Sequence, residues 1–82
     1  MIDLKDILNS RDRISKHISV TPLDFSIGLS HEDTKVYLKL ECQQKQKAFK
    51  VRGALSKISS LSEDEKERGV IAVSSGNHGA GV

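Results

Sequence analysis

A lysine with apolar neighbours is the residue best suited to carry chemistry in this sequence. Lys50 lies in the run Ala48-Phe49-Lys50-Val51-Arg52-Gly53-Ala54, beside an aromatic ring and close to a second cation. Apolar surroundings and a nearby positive charge favour the uncharged amine, which is the form that attacks a carbonyl carbon. A solvated lysine beside a core phenylalanine is the alternative interpretation. The pattern predicts a covalent amine catalyst whose neighbouring ring can face a flat ligand.

A second candidate segment, Ser74-Ser75-Gly76-Asn77-His78-Gly79, follows the apolar run at 70–73. A strand end that leads into a helix presents backbone N–H groups and the positive end of the helix dipole, and both favour an anion. The α-carboxylate of an amino acid would fit there. The glycines at 76, 79 and 81 follow G-x-x-G-x-G, whereas dinucleotide sites use G-x-G-x-x-G. The loop therefore predicts carboxylate binding rather than a nicotinamide site.

Hydrophobic periodicity predicts the elements that position these two segments. In chain order they are a helix over 4–18 capped by Asp3, an irregular stretch over 23–34, a strand over 36–40, a helix over 51–61, a short helix opened by Ser62 and ended by Gly69, and a strand over 70–73. Lys50 would lie at or just before the first turn of the second long helix. Alternation of strands and helices predicts an α/β fold, and the wholly apolar run at 70–73 is typical of a parallel sheet covered on both faces. Two strands cannot complete such a sheet, so we expect the chain to be incomplete.

Composition excludes several other classes of function. The 82 residues are 37% hydrophobic and 29% charged with a net charge of +2, which is ordinary for a globular segment and gives no basic patch for nucleic acid. No apolar run is long enough to cross a membrane or to form a signal-peptide core, so we expect a cytoplasmic protein. The three histidines show no zinc-site spacing, and no metal is expected. The single cysteine, Cys42, is interpreted as a small half-buried residue without a role.

Four motifs together resemble one enzyme group. They are Thr21-Pro22-Leu23, Val36-Tyr37-Leu38-Lys39-Leu40-Glu41, Phe49-Lys50-Val51-Arg52-Gly53-Ala54 and Ser74-Ser75-Gly76-Asn77-His78-Gly79. In them the sequence resembles the serine/threonine dehydratase group of fold-type II pyridoxal-phosphate enzymes, which includes serine racemases. The resemblance implies a tryptophan synthase β-like α/β fold with a parallel sheet and flanking helices, of which residues 1–82 are an N-terminal fragment of the catalytic domain. It also implies pyridoxal 5′-phosphate as cofactor, a small amino-acid substrate and a homo-oligomer at full length.

The resemblance assigns roles to individual residues. Lys50 would hold the cofactor as a Schiff base and then act as a base at the substrate Cα. Phe49 would pack against the pyridine ring, and Asn77 would hydrogen-bond the 3-hydroxyl oxygen of that ring. The substrate carboxylate would be bound by Ser74, Ser75, Asn77 and His78. For His78, packing within the loop is an equally good interpretation, and Arg52 is expected to be structural.

Ser75 keeps two reactions open. The resemblance implies α,β-elimination of L-threonine or L-serine to an α-keto acid and ammonia, and many threonine dehydratases carry alanine at this position. In serine racemases the second serine of the loop is the acid/base on the face opposite the lysine, so racemisation is the alternative. A third hypothesis is that the 82-residue chain is a truncated and catalytically inactive fragment, because most of the architecture of the family is missing from it.

Overall fold

A computed structural model describes all 82 residues, Met1 to Val82. The elements in chain order are α1 (Leu4–Ile14), β1 (Leu23–Phe25), β2 (Tyr37–Lys39), a 3₁₀ turn (Glu41–Gln43), α2 (Lys50–Ser59), α3 (Glu63–Arg68) and α4 (Asn77–Gly81). The predicted mixture of helices and strands is therefore present. None of the helices combines the length and the apolar character needed to cross a membrane.

Side-chain caps fix the starts of α1 and α3. The Asp3 carboxylate accepts a hydrogen bond from the Asp6 N–H at 3.0 Å, and Asp6 accepts one from the Asp3 N–H at 2.9 Å. The same reciprocal pattern joins Ser62 and Glu65 at the start of α3. Each box satisfies backbone donors that a helix leaves free at its first turn. Both predicted caps are confirmed.

Helix α1 ends four residues earlier than the sequence predicts. Its last residue is Ile14, and the chain then turns because the His17 N–H donates to the Ile14 carbonyl at 2.8 Å. The Ser15 hydroxyl also donates to the Asp12 carbonyl at 3.3 Å. Such local bonds from serine compete with a regular helix. Ile18, which fitted the helical spacing, lies outside the helix.

The sheet is an antiparallel pair, and the predicted parallel sheet is not formed within these residues. β1 pairs with β2 in the register Leu23↔Lys39, Asp24↔Leu38 and Phe25↔Tyr37. The two rings of the last pair meet edge to face, with centroids 5.4 Å apart. β1 lies within the stretch predicted to be irregular, because three residues are too short for a period-2 pattern to be recognised.

The apolar run at 70–73 forms no strand and pairs with none. Ile71 and Val73 are 94% and 95% exposed. A parallel strand needs hydrogen-bonding neighbours and cover on both faces. The only two strands of this chain are already paired with each other, so neither requirement is met here.

The helices form a small core. Its buried apolar residues are Ile14 of α1 and Val51 and Ala54 of α2. The α1–α2 contact also carries a hydrogen bond of 2.6 Å between the hydroxyls of Ser10 and Ser56. Helix α4 also packs against α2.

Much of the apolar surface is uncovered. The accessible surface is 6769 Å², whereas a compact monomer of this mass exposes about 4,900 Å². The radius of gyration is 16.0 Å, compared with about 12 Å for a compact domain of this length.

Cys42 is exposed, so its predicted half-burial is wrong. It lies on the 3₁₀ turn whose neighbours Glu41 and Gln44 turn inward instead.

A polar cluster around Glu41 connects three segments of the chain. The Glu41 carboxylate accepts hydrogen bonds from Nε and Nη2 of Arg52 and, at 2.5 Å, from the Thr21 hydroxyl. The Gln44 amide donates to it at 3.2 Å. Gln44, which is 1% exposed, also bonds both peptide groups of Ser19, at 2.9 and 2.8 Å. These bonds hold the start of α2 against the end of β2 and the segment before β1.

The cluster changes the titration of Glu41. The Arg52 guanidinium, followed by the hydroxyl of Thr21 and the amide of Gln44, lowers the pKa of Glu41 from its ordinary value of 4.5 to about 2, although partial burial opposes the shift. Glu41 reciprocally raises the pKa of Arg52. Because the pKa of Glu41 is lower in the folded state than in the unfolded state, the cluster stabilises the fold above pH 4.5. That stabilisation is lost as the pH falls from 4.5 toward 2.

We expect Glu41→Gln to remove the part of the loss of folding stability at acid pH that comes from protonation of Glu41. The shift corresponds to at most about 3 kcal/mol, and the 36% exposure of the Arg52 side chain lowers the measured value through solvent screening. The measurement is the free energy of unfolding by urea between pH 2.5 and 7. Glu67→Gln, at an exposed carboxylate outside the ion pairs, is the matched control, and its free energy of unfolding should depend on pH as that of the wild type does. The same pH dependence in the wild type and in Glu41→Gln would contradict the assignment.

Candidate functional site

Lys50 is the first residue of α2, at the position expected from the sequence. Its Nζ lies 5.3 Å from the centroid of the Phe49 ring, and this ring is 60% exposed. The Lys50 side chain makes no hydrogen bond and no ion pair with any other residue. The amine is also solvent-exposed, so the apolar neighbours do not desolvate it within these 82 residues. The structure thus presents a free primary amine beside an accessible aromatic face.

The serine-rich loop is organised by Ser74. The Ser74 hydroxyl accepts a hydrogen bond from the Gly76 N–H at 3.2 Å. A Cβ at Gly79 would lie 3.3 Å from both the Cβ and the carbonyl oxygen of Ser74, so the loop closes tightly on itself at this glycine. The side chains of Ser75 and Asn77 are exposed and form no hydrogen bonds within the protein. These two polar groups are therefore available to a ligand.

Helix α4 brings this loop to the helix that carries Lys50. A Cβ added at Gly81 would lie 3.3 Å from the Cβ of Ala54, 3.3 Å from the Cα of Val51 and 3.4 Å from the carbonyl oxygen of Lys50. Contacts this close to backbone atoms leave little room for a side chain. The glycine at this position allows the last turn of α4 to rest on the first turn of α2.

His78 lies in the wall of an apolar cleft of about 320 Å³. The cleft is shared with four residues of α2, among them Gly53 and Ile58, with Leu61 beyond the end of that helix, and with the exposed run at Val70 and Ile71. Lys50 is not among the residues that line it.

The predicted site residues form two groups in this structure. Lys50 and Phe49 are in contact with each other, and the segment Ser74–His78 lies at the start of α4. No hydrogen bond joins the two groups. A separate groove of about 610 Å³ is lined by Phe49 together with Lys39, Glu41 and Arg52. The contact of α4 with α2, to which Gly81 contributes, connects the two groups. The roles of both groups toward a ligand stay predictions.

Sequence reasoning missed the polar cluster behind Lys50. Glu41, Thr21 and Gln44 were assigned no function, although Glu41 ends one of the four motifs and Thr21 begins another. A glutamate at a strand end and an arginine two residues after the candidate lysine were the available signals. The expected structural role of Arg52 agrees with its two hydrogen bonds to Glu41.

Two characterised enzymes are similar to the whole chain. L-threonine ammonia-lyase of Thermotoga maritima is 45% identical over 83 aligned residues, which cover 100% of this chain and 21% of that enzyme. The L-threonine dehydratase catabolic TdcB of Staphylococcus aureus strain USA300 is 45% identical over 84 aligned residues, covering 100% of this chain and 24% of the relative. The chain thus spans less than a quarter of the length of these relatives. No solved structure matches it.

The family comparison covers both candidate segments. Residues 14–82 match the family described as pyridoxal-phosphate dependent enzyme. The match includes Lys50, the polar cluster and the loop at 74–79, and it confirms the resemblance and the cofactor that the four motifs predicted. The chain belongs to the family of pyridoxal-phosphate dependent enzymes.

Proposed function

We propose that the protein containing this chain is an ammonia-lyase that uses pyridoxal phosphate to convert L-threonine or L-serine to an α-keto acid and ammonia. The observation that carries the proposal is the free Lys50 amine at the start of α2, 5.3 Å from the exposed Phe49 ring. The names of the two relatives, a threonine ammonia-lyase and a threonine dehydratase, support the reaction class.

The chemistry of the side chains present fits the cofactor. A primary amine without a competing acid can bind the aldehyde carbon, and an accessible phenyl ring can cover one face of a pyridine ring. We assign these roles to Lys50 and Phe49, and to Asn77 a hydrogen bond from its free amide to the 3-hydroxyl oxygen. Pyridoxal phosphate supplies an electron sink that stabilises negative charge at the substrate Cα.

Lys50 and the serine-rich loop then have complementary tasks. With the cofactor bound, Lys50 would take the proton from the substrate Cα, and the β-hydroxyl group would gain a proton and leave as water. Ser74, Ser75, Asn77 and His78 bind and orient the substrate carboxylate. The side chains of Ser75 and Asn77 are exposed and form no hydrogen bonds within the protein, which supports this assignment. His78 has an alternative role, which is packing in the wall of the apolar cleft.

We further propose that residues 1–82 are the N-terminal part of a larger catalytic domain. The run at 70–73 would join a parallel sheet there, and the complete enzyme would be a homo-oligomer. The unpaired and exposed state of Ile71 and Val73 supports the first statement, as does the fraction of the relatives that the chain spans.

Borohydride reduction tests the role of Lys50. After incubation of the complete protein with pyridoxal phosphate, reduction should fix the cofactor to the peptide that contains Lys50, as read by peptide mass spectrometry. Lys50→Arg should abolish the labelled peptide and the formation of α-keto acid, because its guanidinium remains protonated and cannot bind an aldehyde in this way. Lys57→Arg, at another exposed lysine of α2, is the matched control. Cofactor fixed at any residue other than Lys50 would refute the assignment.

Serine racemase is the second candidate function, and the exposed hydroxyl of Ser75 favours it. If the enzyme racemises serine, Ser75→Ala should lower D-serine formation by about 100-fold or more, the usual contribution of an acid/base residue. Pyruvate formation should continue. Ser59→Ala, at a serine of α2 without side-chain hydrogen bonds, is the control. Absence of D-serine in the wild type would eliminate the racemase hypothesis.

The third hypothesis, that the 82-residue chain alone is an inactive fragment, is supported by its uncovered apolar surface. We expect this chain in isolation to bind the dye ANS strongly and to turn over neither threonine nor serine, because the dye binds exposed apolar surface. Fluorescence titration and a cooperative-unfolding measurement by circular dichroism check this. A sharp cooperative transition without dye binding would argue for a self-sufficient fold.

A further inference from the structure

The first turn of α2 lacks a side-chain cap. Its capping residue is Phe49, whose side chain has no acceptor for the free N–H groups, and the α-helical backbone of Phe49 differs from the extended backbone of a usual cap. The Arg52 N–H donates to the Phe49 carbonyl at 3.1 Å, which closes the turn but does not attach it to the rest of the protein. Burial of Val51 and the approach of Gly81 pack this turn against its neighbours, and a polar interaction attaches it as well.

Arg52 provides a firm attachment within this turn. Its guanidinium binds the Glu41 carboxylate through both Nε and Nη2, and two-point binding of this kind defines orientation as well as distance. Glu41 is itself held by Thr21 and Gln44. The turn is thus attached to two segments that are distant in sequence.

The geometry of the helix directs Lys50 away from this attachment. Residues two apart are separated by about 200° around a helix axis, so Lys50 and Arg52 point to nearly opposite sides. The Lys50 side chain is exposed, whereas that of Arg52 reaches the polar cluster. The Glu41 oxygens are engaged by Arg52, Thr21 and Gln44, and Glu41 forms no ion pair with Lys50.

We propose that Glu41 and Arg52 are positioning residues for Lys50: their ion pair fixes the first turn of α2, directs the amine to the cofactor side and keeps the Glu41 carboxylate from pairing with it. This inference rests on the proposed function of Lys50. It concerns residues that contact neither cofactor nor substrate in our assignment. They act only through the helix turn that they hold.

Two measurements on the complete protein test the proposal. The first is the rate at which pyridoxal phosphate becomes attached to Lys50, followed by borohydride reduction at successive times and peptide mass spectrometry. The second is hydrogen exchange of the amides of residues 50–54 in the cofactor-free protein, compared with those of α1 and α3. The variants are Glu41→Gln and Arg52→Gln, with Arg52→Lys as the conservative change and Arg68→Gln as a control at an exposed ion pair.

We expect Glu41→Gln and Arg52→Gln to slow attachment about 10- to 100-fold, the effect of a displacement of roughly 1 Å at a reacting group. Exchange should accelerate at 50–54 and stay unchanged in α1 and α3. The rates of attachment and exchange in Arg52→Lys should lie between those of these variants and those of the wild type, because an ammonium group supplies charge without the two-point geometry. Arg68→Gln should match the wild type.

Wild-type rates of attachment and exchange in both Gln variants would overturn the positioning role. General loss of structure in both would overturn it as well, since the pair would then serve the whole fold and not this turn. If the wild type itself is labelled at a residue other than Lys50, the proposed function fails. The exchange comparison still decides whether the ion pair anchors the turn.

Discussion

The Glu41 carboxylate is the polar group that joins the start of α2 to two other segments of this chain. A partly buried carboxylate is costly unless its charge and its lone pairs are satisfied. Here an arginine fork, a hydroxyl and an amide satisfy it, and each comes from a different place in the sequence: Arg52, Thr21 and Gln44. The same cluster therefore sets the relation between the short sheet, the segment before it and the start of α2.

Polar attachment matters here because the apolar core is so small. Only Ile14, Val51 and Ala54 are buried apolar residues, and burying a side chain of this kind contributes at most about 1.5–3 kcal/mol. Helix caps and the polar cluster carry a correspondingly large share of the specificity of the fold. The uncovered apolar faces of α1 and of the run at 70–73 identify the surfaces that a larger domain would cover.

Features that depend on neighbouring residues were predictable from the sequence, apart from the end of α1, and features that depend on distant residues were not. The caps at Asp3 and Ser62 and the place of Lys50 follow from side chains within one helical turn, and all agree with the structure. Strand direction depends on partners far along the chain, so an apolar run such as 70–73 predicts a strand without specifying what it pairs with. The positive φ of 63° at Lys47, before α2, had no signal either, since glycine is the usual residue in that region.

The same division between features set by neighbouring residues and features set by distant residues applies to the candidate site. Lys50, Phe49 and the serine-rich loop were identified as candidates from residue type and order alone, and their chemistry stays a prediction. Their placement depends on residues of no obvious chemical interest: Gly81 allows α4 to approach α2, and Arg52 connects α2 to Glu41. A motif of the form Phe-Lys-x-Arg-Gly thus contains two kinds of information in successive pairs of positions, because residues two apart on a helix face nearly opposite ways. Phe49 and Lys50 are exposed to solvent, while Val51 and Arg52 attach the same turn to the protein.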